Sequence, residues 1–382
     1  MKLPTGFRAA GVRAGIKPSG KPDLGLVVSD EPMAWAIATT RNLVRAPCVT
    51  RNRARAASEQ AVRALVVNAG NANCANGEEG IWDNDEFANV AARSLGLSRP
   101  QEVLTASTGV IGRKLPMDLV RAGVPQAAAA LGDDVEPFAE AILTTDLVTK
   151  VAEVRLGGGG RVVGVAKGSG MIHPNLATML AFVFTDAGLD QPALRAVWAD
   201  VVGRTFNQVT VDGDTSTNDM AIVLANGRRP AGREELAGAL GWVSTELARA
   251  IARDGEGATT LITVDVAGGR DERDAFAAAR AVAGSSLVKA AVHGRDPNWG
   301  RILSAIGQSG AVADLSAVAI RLQGTVVYRG HPLPFDATEL SRSMRSPDVR
   351  IAIDLAAGAA EGVAWGCDLS ADYVKINALY TT

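Results

Sequence analysis

Lys167-Gly-Ser-Gly-Met-Ile-His-Pro-Asn-Leu-Ala-Thr178-Met-Leu180 is the stretch on which the reading of this 382-residue chain turns. Gly168 and Gly170 can take up positive φ, whereas Pro174 fixes its own φ and presses His173 towards extended geometry. The loop so shaped runs into Met179-Leu-Ala-Phe-Val-Phe184, a short apolar run with the length and composition of a buried strand. Thr178 stands at the mouth of that strand. A threonine hydroxyl is a poor nucleophile near neutral pH and needs a neighbouring base. Cutting the Ala177–Thr178 bond would create one, because a free α-amine has an ordinary pKa of about 7.7–8.0 and lies within reach of its own hydroxyl. Taken alone, a strand threonine after a Gly-x-Gly turn reads as ordinary structure.

Other strings change that balance. In chain order they are Gly6-Phe-Arg-Ala-Ala-Gly-Val12, Val67-Asn-Ala-Gly-Asn-Ala-Asn73, Ser107-Thr-Gly-Val-Ile-Gly112, Val211-Asp-Gly-Asp-Thr-Ser-Thr-Asn-Asp219, Asp254-Gly-Glu-Gly-Ala-Thr259, Gly294-Arg-Asp-Pro-Asn-Trp-Gly-Arg301 and Ile376-Asn-Ala-Leu-Tyr-Thr-Thr382. Together with residues 167–180 they resemble, in order and over essentially the whole chain, the ornithine acetyltransferase family of self-cleaving enzymes. The resemblance implies an α+β fold: an αββα four-layer sandwich of the N-terminal-nucleophile-like type with a smaller C-terminal α/β domain. It implies cleavage between Ala177 and Thr178 into fragments 1–177 and 178–382. It further implies acetyl transfer from N-acetylornithine to glutamate through an acetyl-Thr178 intermediate, by ping-pong kinetics. No cofactor is implied, and whether acetyl-CoA also serves as co-substrate stays open. The implied assembly is α2β2.

Composition bounds the alternatives. Lys plus Arg is 39 against 41 for Asp plus Glu, a net charge of −2 that makes no electrostatic case for nucleic acid. No stretch approaches 18 apolar residues, so no ordinary membrane-spanning helix is expected. The start, Met1-Lys-Leu-Pro-Thr-Gly-Phe-Arg8, lacks the apolar centre of a signal peptide. Cys48, Cys74 and Cys367 lie too far apart for a disulfide framework or a zinc spacing. A cytoplasmic protein is the simplest expectation.

Hydrophobic patterning predicts strands at 24–29, 65–68, 179–184, 221–224, 259–266, 318–323, 325–328 and 350–355. It predicts helices at 54–64, 86–95, 117–131, 192–205, 234–253, 271–282, 285–292 and 337–344, and a hairpin turning at Gly157–Gly160. Strands and helices mix without regular βαβ alternation, which favours α+β over a parallel dinucleotide-binding sheet. Glycines and charges in Ala267-Gly-Gly-Arg-Asp-Glu-Arg273 suggest a boundary, giving a catalytic domain of 1–267 and a C-terminal domain of 268–382.

The resemblance also assigns roles. Thr178 is nucleophile and, through its α-amine, base. Thr108 and Gly109 supply the oxyanion hole, a hydroxyl and a backbone N–H aimed at the developing negative oxygen. Thr144, Lys167, Thr178, Glu256, Asn377 and Thr382 bind substrate, with Thr145 the neighbouring alternative to Thr144. A carboxylate at Glu256 suits the cationic end of ornithine. Thr260 stands where the family commonly has Lys, a departure that bears on substrate preference. Lys167 is not a P-loop lysine, since the order here is Ala166-Lys-Gly-Ser169. The three aspartates of 211–219 lack calcium-loop spacing, so that segment reads as a structured turn and no metal is expected. None of His173, His293 and His331 falls in a triad pattern. The competing functions are an N-terminal-nucleophile aminopeptidase or amidohydrolase, with water as acceptor, and a non-catalytic binding module.

Overall fold

The computed structural model describes residues 1–58, 60–173 and 179–379. The first part of the chain forms β1 (Phe7–Val12), β2 (Leu24–Thr39), α1 (Pro47–Ala57), β3 (Val62–Asn71), α2 (Gly77–Ser94), β4 (Val103–Val110), α3 (Met117–Ala129), α4 (Glu136–Ala141), β5 (Lys150–Arg155), β6 (Arg161–Lys167), β7 (Leu180–Gly188), α5 (Gln191–Arg204), β8 (Val209–Thr210), β9 (Met220–Pro230) and α6 (Arg233–Arg253). The rest forms β10 (Leu261–Gly269), α7 (Glu272–Gly284), α8 (Ser286–His293), α9 (Trp299–Gly307), β11 (Ala319–Leu322), β12 (Thr325–Arg329), α10 (Ala337–Ser343), β13 (Asp348–Asp354), β14 (Ala360–Cys367) and α11 (Ala371–Leu379).

The 16 residues of β2 join two sheet halves. Its first half pairs with β1 and β3, from Leu24 opposite Asn68 to Val28 opposite Ala64. After an irregularity between Val28 and Met33, its second half pairs with β9, from Ala34 opposite Ala225 to Thr39 opposite Met220. A break of register of this kind bends a strand and raises its twist. The path β4-β3-β2-β9-β7-β6-β5 can therefore fold over on itself.

Side-chain alternation shows that it does. Leu65 and Val67 of β3 share one apolar cluster with Val163, Val165, Phe182, Phe184, Ile222 and Leu224 from β6, β7 and β9. The alternate residues Ala64 and Val66 turn outward onto Phe87 and Ala91 of α2 and Val120 and Val124 of α3. On the far side, Ala181 and Val183 meet Trp198 of α5 and Leu240 and Val243 of α6. The order helix, sheet, sheet, helix is the expected αββα sandwich. Strands covered on both faces are apolar at successive positions, which is why Leu180–Phe184 reads as an unbroken run.

The second sheet, β12-β11-β13-β10-β14-β8, packs on α7, α8 and α9 through Ala278, Val282, Val292, Ile302 and Ile306. Two expectations change here. The helix read at 54–64 is α1, starting at Pro47; Cys48 and Val49 are its buried face, whereas Val62 and Ala64 belong to β3. The boundary drawn after residue 267 falls inside β10, which lies between β13 and β14 in the second sheet. The strand before the glycines thus belongs to the C-terminal sheet. No single helix among the described residues is long and apolar enough to cross a membrane.

Candidate active site

Thr108 and Gly109 end β4 beside the parallel strand β3. Gly109 has φ +131°, and a Cβ there would come within 2.3 Å of the Gly70 carbonyl carbon. Only glycine fits, because both the backbone angle and the space exclude a side chain. Register slips at Asn71, and the splayed strand ends are held by amides. Asn68 Nδ2 donates to the Asn71 carbonyl at 2.8 Å, and Ser107 Oγ to Asn68 Oδ1 at 2.7 Å. Asn218 Nδ2 ties the carbonyls of Ala72 and Ser107 together at 2.7 and 2.8 Å. The segments 67–73 and 211–219 thus frame the Thr108–Gly109 end of β4.

Lys167, the last residue of β6, is buried, and its Nζ donates to Thr108 Oγ1 at 3.3 Å. Burial lowers its pKa, opposed first by Asp146 and then by Asp219. Asp146 accepts from Gly168 N at 2.6 Å, Lys150 Nζ at 2.7 Å and Thr144 N at 3.1 Å. Burial works to raise its pKa, but Lys167 and Lys150 outweigh it and bring it down to about 2. Lys150 Nζ also donates to Asp254 Oδ2 at 2.5 Å. This ion triad clamps residues 144–150, Gly168 and the end of α6 onto one another. Thr145 Oγ1 lies 2.7 Å from Ser169 Oγ.

Glu256 lies just beyond α6. Its N–H donates to the Ser169 carbonyl at 2.8 Å, and its Oε2 accepts from Asn377 Nδ2 of α11 at 2.9 Å. Opposite, Asp212 accepts from Met171 N at 2.6 Å and Ile172 N at 2.8 Å. Met171 has a left-handed φ of +57°, and the Asp212 carboxylate holds it there. Burial pushes Asp212 upward. Burial, followed by the negative charges of Asp212 and Glu256, pushes the Tyr373 hydroxyl to about 12.

These groups enclose a cavity of about 240 Å³ lined by Thr108, Gly109, Thr144, Thr145, Lys167 and Glu256, with Asp212, Asp219, Tyr373 and Asn377 completing the wall. Its wall carries both signs of charge, Lys167 beside Thr108 and the carboxylates of Asp212, Asp219 and Glu256. Such a site can hold an amino acid derivative by its own charges while a carbonyl faces Thr108 and Gly109. Met179 and Leu180 form part of the lining. Thr144 and Thr145 both reach the cavity. Ala177, Thr178 and Thr382 lie outside the described residues. Among the described residues no group of three His, Cys, Asp or Glu could hold a metal ion. Asp212 and Asp219, read from sequence as part of a structured turn, line this cavity, and so does Tyr373, to which the sequence assigns no role. The one available signal was their place in or near the strings 211–219 and 376–382.

An αββα sandwich of this order is a fold of the N-terminal-nucleophile type. Residues 8–382 match the ArgJ family. The chain is 57% identical over its full length to the arginine biosynthesis bifunctional protein ArgJ of Thermus thermophilus, covering 100% of that relative. It is 55% identical to the protein of the same name from Deinococcus radiodurans, covering 100% of this chain and 98% of that relative. A crystal structure of arginine biosynthesis bifunctional protein argJ from Bacillus halodurans is 40% identical, with a TM-score of 0.51, covering 53% of this chain and 100% of that one. A structure of ornithine acetyltransferase complexed with ornithine from Mycobacterium tuberculosis is 38% identical, with a TM-score of 0.44, covering 46% of this chain and 94% of that one. The chain belongs to the ArgJ family, and it is an acyltransferase of arginine biosynthesis.

Proposed function

We propose that this enzyme transfers the acetyl group of N-acetylornithine to glutamate through an ester on Thr178, after cutting its own chain before that residue. The observation that carries the reading is the convergence of Thr108, Gly109, Lys167, Glu256 and Asn377, from separate elements, on one cavity whose wall includes Met179, the residue after Thr178. In the cut, Thr178 Oγ attacks the Ala177 carbonyl, the C–N bond breaks as the acyl group shifts to oxygen and frees the Thr178 α-amine, and water then cleaves the ester to the Ala177 carboxylate and the Thr178 hydroxyl. A fragment from residue 178 onward would hold 205 of 382 residues, just over half. The solved Bacillus halodurans chain, matched over its whole length, covers a similar 53%, which supports a two-fragment enzyme.

In turnover the α-amine takes the hydroxyl proton as Oγ attacks the acetyl carbonyl. The oxyanion accepts from Thr108 Oγ1 and Gly109 N, and collapse passes the proton to the departing ornithine amine. Glutamate's amine then attacks the ester and restores the hydroxyl. Lys167 is suited to the substrate carboxylate and Glu256 to the cationic end. The chemistry needs no cofactor, and acetyl-CoA can load the same hydroxyl, which agrees with the word bifunctional in the relatives' names. An α2β2 assembly and a cytoplasmic location belong to the same reading.

Incubation with N-acetylornithine and glutamate tests it. Ornithine and N-acetylglutamate should appear in equal amounts. Acetate in place of N-acetylglutamate would show a hydrolase instead.

A further inference from the structure

We propose that Asp219 is a positioning residue of this site, its buried carboxylate holding Lys167 in the ammonium form and so setting which way the Thr108 hydroxyl points. The proposal rests on the acyl-transfer reading above and extends it to a residue with no role there. Asp219 is buried, lines the cavity, and its Oδ2 is enclosed without a hydrogen-bond partner. Its place is fixed by the backbone: its carbonyl accepts from Thr40 N, and the next N–H, of Met220, donates to the Met179 carbonyl, both at 3.0 Å. A buried carboxyl oxygen with no partner costs free energy wherever it serves nothing.

The groups acting on Lys167 narrow the choice. Its acidic neighbours are Asp146, Asp219 and Glu256; the like charges are Lys150 and Lys17. Asp146 is saturated by Gly168, Lys150 and Thr144, and Glu256 is engaged by Asn377. Asp219 alone of the three has a buried oxygen unengaged. Burial raises Asp219, countered by hydrogen bonding to Ser216 and by the charge of Lys167, while burial lowers Lys167. The two groups are buried in the wall of one cavity, where a negative charge on Asp219 opposes the effect of burial on Lys167.

The consequence reaches Thr108. An ammonium on Lys167 can only donate, so the Thr108 oxygen accepts and its own proton is free to face the substrate oxyanion. A neutral amine can accept that proton and withdraw it from the oxyanion. Asp219 keeps the ammonium form in place as pH rises.

The test compares wild type with Asp219→Asn in two ways. The first is the pH profile of kcat with N-acetylornithine and glutamate. The second is titration of the Lys167 Cε resonance in ¹³C-lysine-labelled protein, assigned with Lys167→Met, which needs no turnover. Removing the carboxylate should move both the alkaline limb and the Lys167 midpoint down by about one pH unit, so that kcat on that limb falls about tenfold while KM changes little. Ser216→Ala, which removes one hydrogen bond from Asp219 and leaves the carboxyl, should move both in the same direction by less. It carries the test if Asp219→Asn does not fold or process. An unmoved Lys167 midpoint, or a loss of kcat equal at every pH, would overturn the proposal. A wild type that transfers no acetyl but shows the shifted midpoint would contradict the function above and leave this pairing standing.

Discussion

The Thr108–Gly109 end of β4 depends on one residue having no side chain. Gly109→Ala would place a Cβ against the Gly70 carbonyl carbon at a φ that alanine avoids. The strand ends must then separate and the N–H turns away from the oxyanion. Loss of one such donor costs roughly 2.7–4 kcal/mol of transition-state stabilisation, so kcat should drop about 100-fold to 1,000-fold. Steady-state kinetics on the folded variant would check this, and unchanged turnover would remove Gly109 from the oxyanion hole. Glu256 separates recognition from chemistry. Glu256→Gln keeps its bond from Asn377 within reach and loses only charge, so chain cleavage should proceed normally. The kcat/KM for N-acetylornithine should fall by roughly 1.5–3 kcal/mol, the worth of a charge-assisted hydrogen bond. A neutral acetylated donor should be far less affected. Equal loss for both donors would place Glu256 in the catalytic machinery.

Among elements, the clamp of Asp146, Lys150 and Asp254 joins the 144–150 loop to the end of α6. Lys150 has no side-chain exposure. Lys150→Met should destabilise the protein by roughly 3–5 kcal/mol in denaturant unfolding, since two carboxylates are left without their shared cation. Asp146 is depressed from 3.8 to about 2 in the folded state, so its contribution is present above the unfolded value and disappears as pH falls from about 4 towards 2. Asp146→Asn should flatten that acid loss of stability; an unchanged acid profile would contradict the assignment. The elements differ in how well sequence discloses them. The doubly covered strands β6, β7 and β9 are plain as apolar runs, and α6 as an amphipathic stretch. β14 was illegible because Gly362 and Gly366 look like breakers. In the fold a Cβ on either would strike the α7 backbone, at 2.8 Å from the Ala275 carbonyl carbon and 2.9 Å from the Ala283 oxygen. α11 was missed for the opposite reason, as none of its residues is buried and it has no apolar face to show.

For the molecule as a whole, resemblance disclosed the layered fold and the cavity residues Thr108, Gly109, Thr144, Lys167, Glu256 and Asn377 from sequence. It did not disclose the electrostatic frame behind them. The bonds of Lys150 to Asp254, Asp146 to Gly168 and Asn218 to Ala72 and Ser107 join residues distant in the chain, and single-chain spacing carries no record of such pairings. Transfer through a parked acetyl group should give parallel double-reciprocal lines when N-acetylornithine and glutamate are varied together; intersecting lines would indicate direct transfer in a ternary complex. Intact-mass analysis of the active enzyme, before and after brief exposure to N-acetylornithine alone, probes the central claim most directly. The account predicts two fragments, 1–177 and 178–382, with one acetyl group gained on the second and absent in Thr178→Ala. A single full-length mass in fully active protein, or an acetyl group trapped anywhere but Thr178, would contradict it.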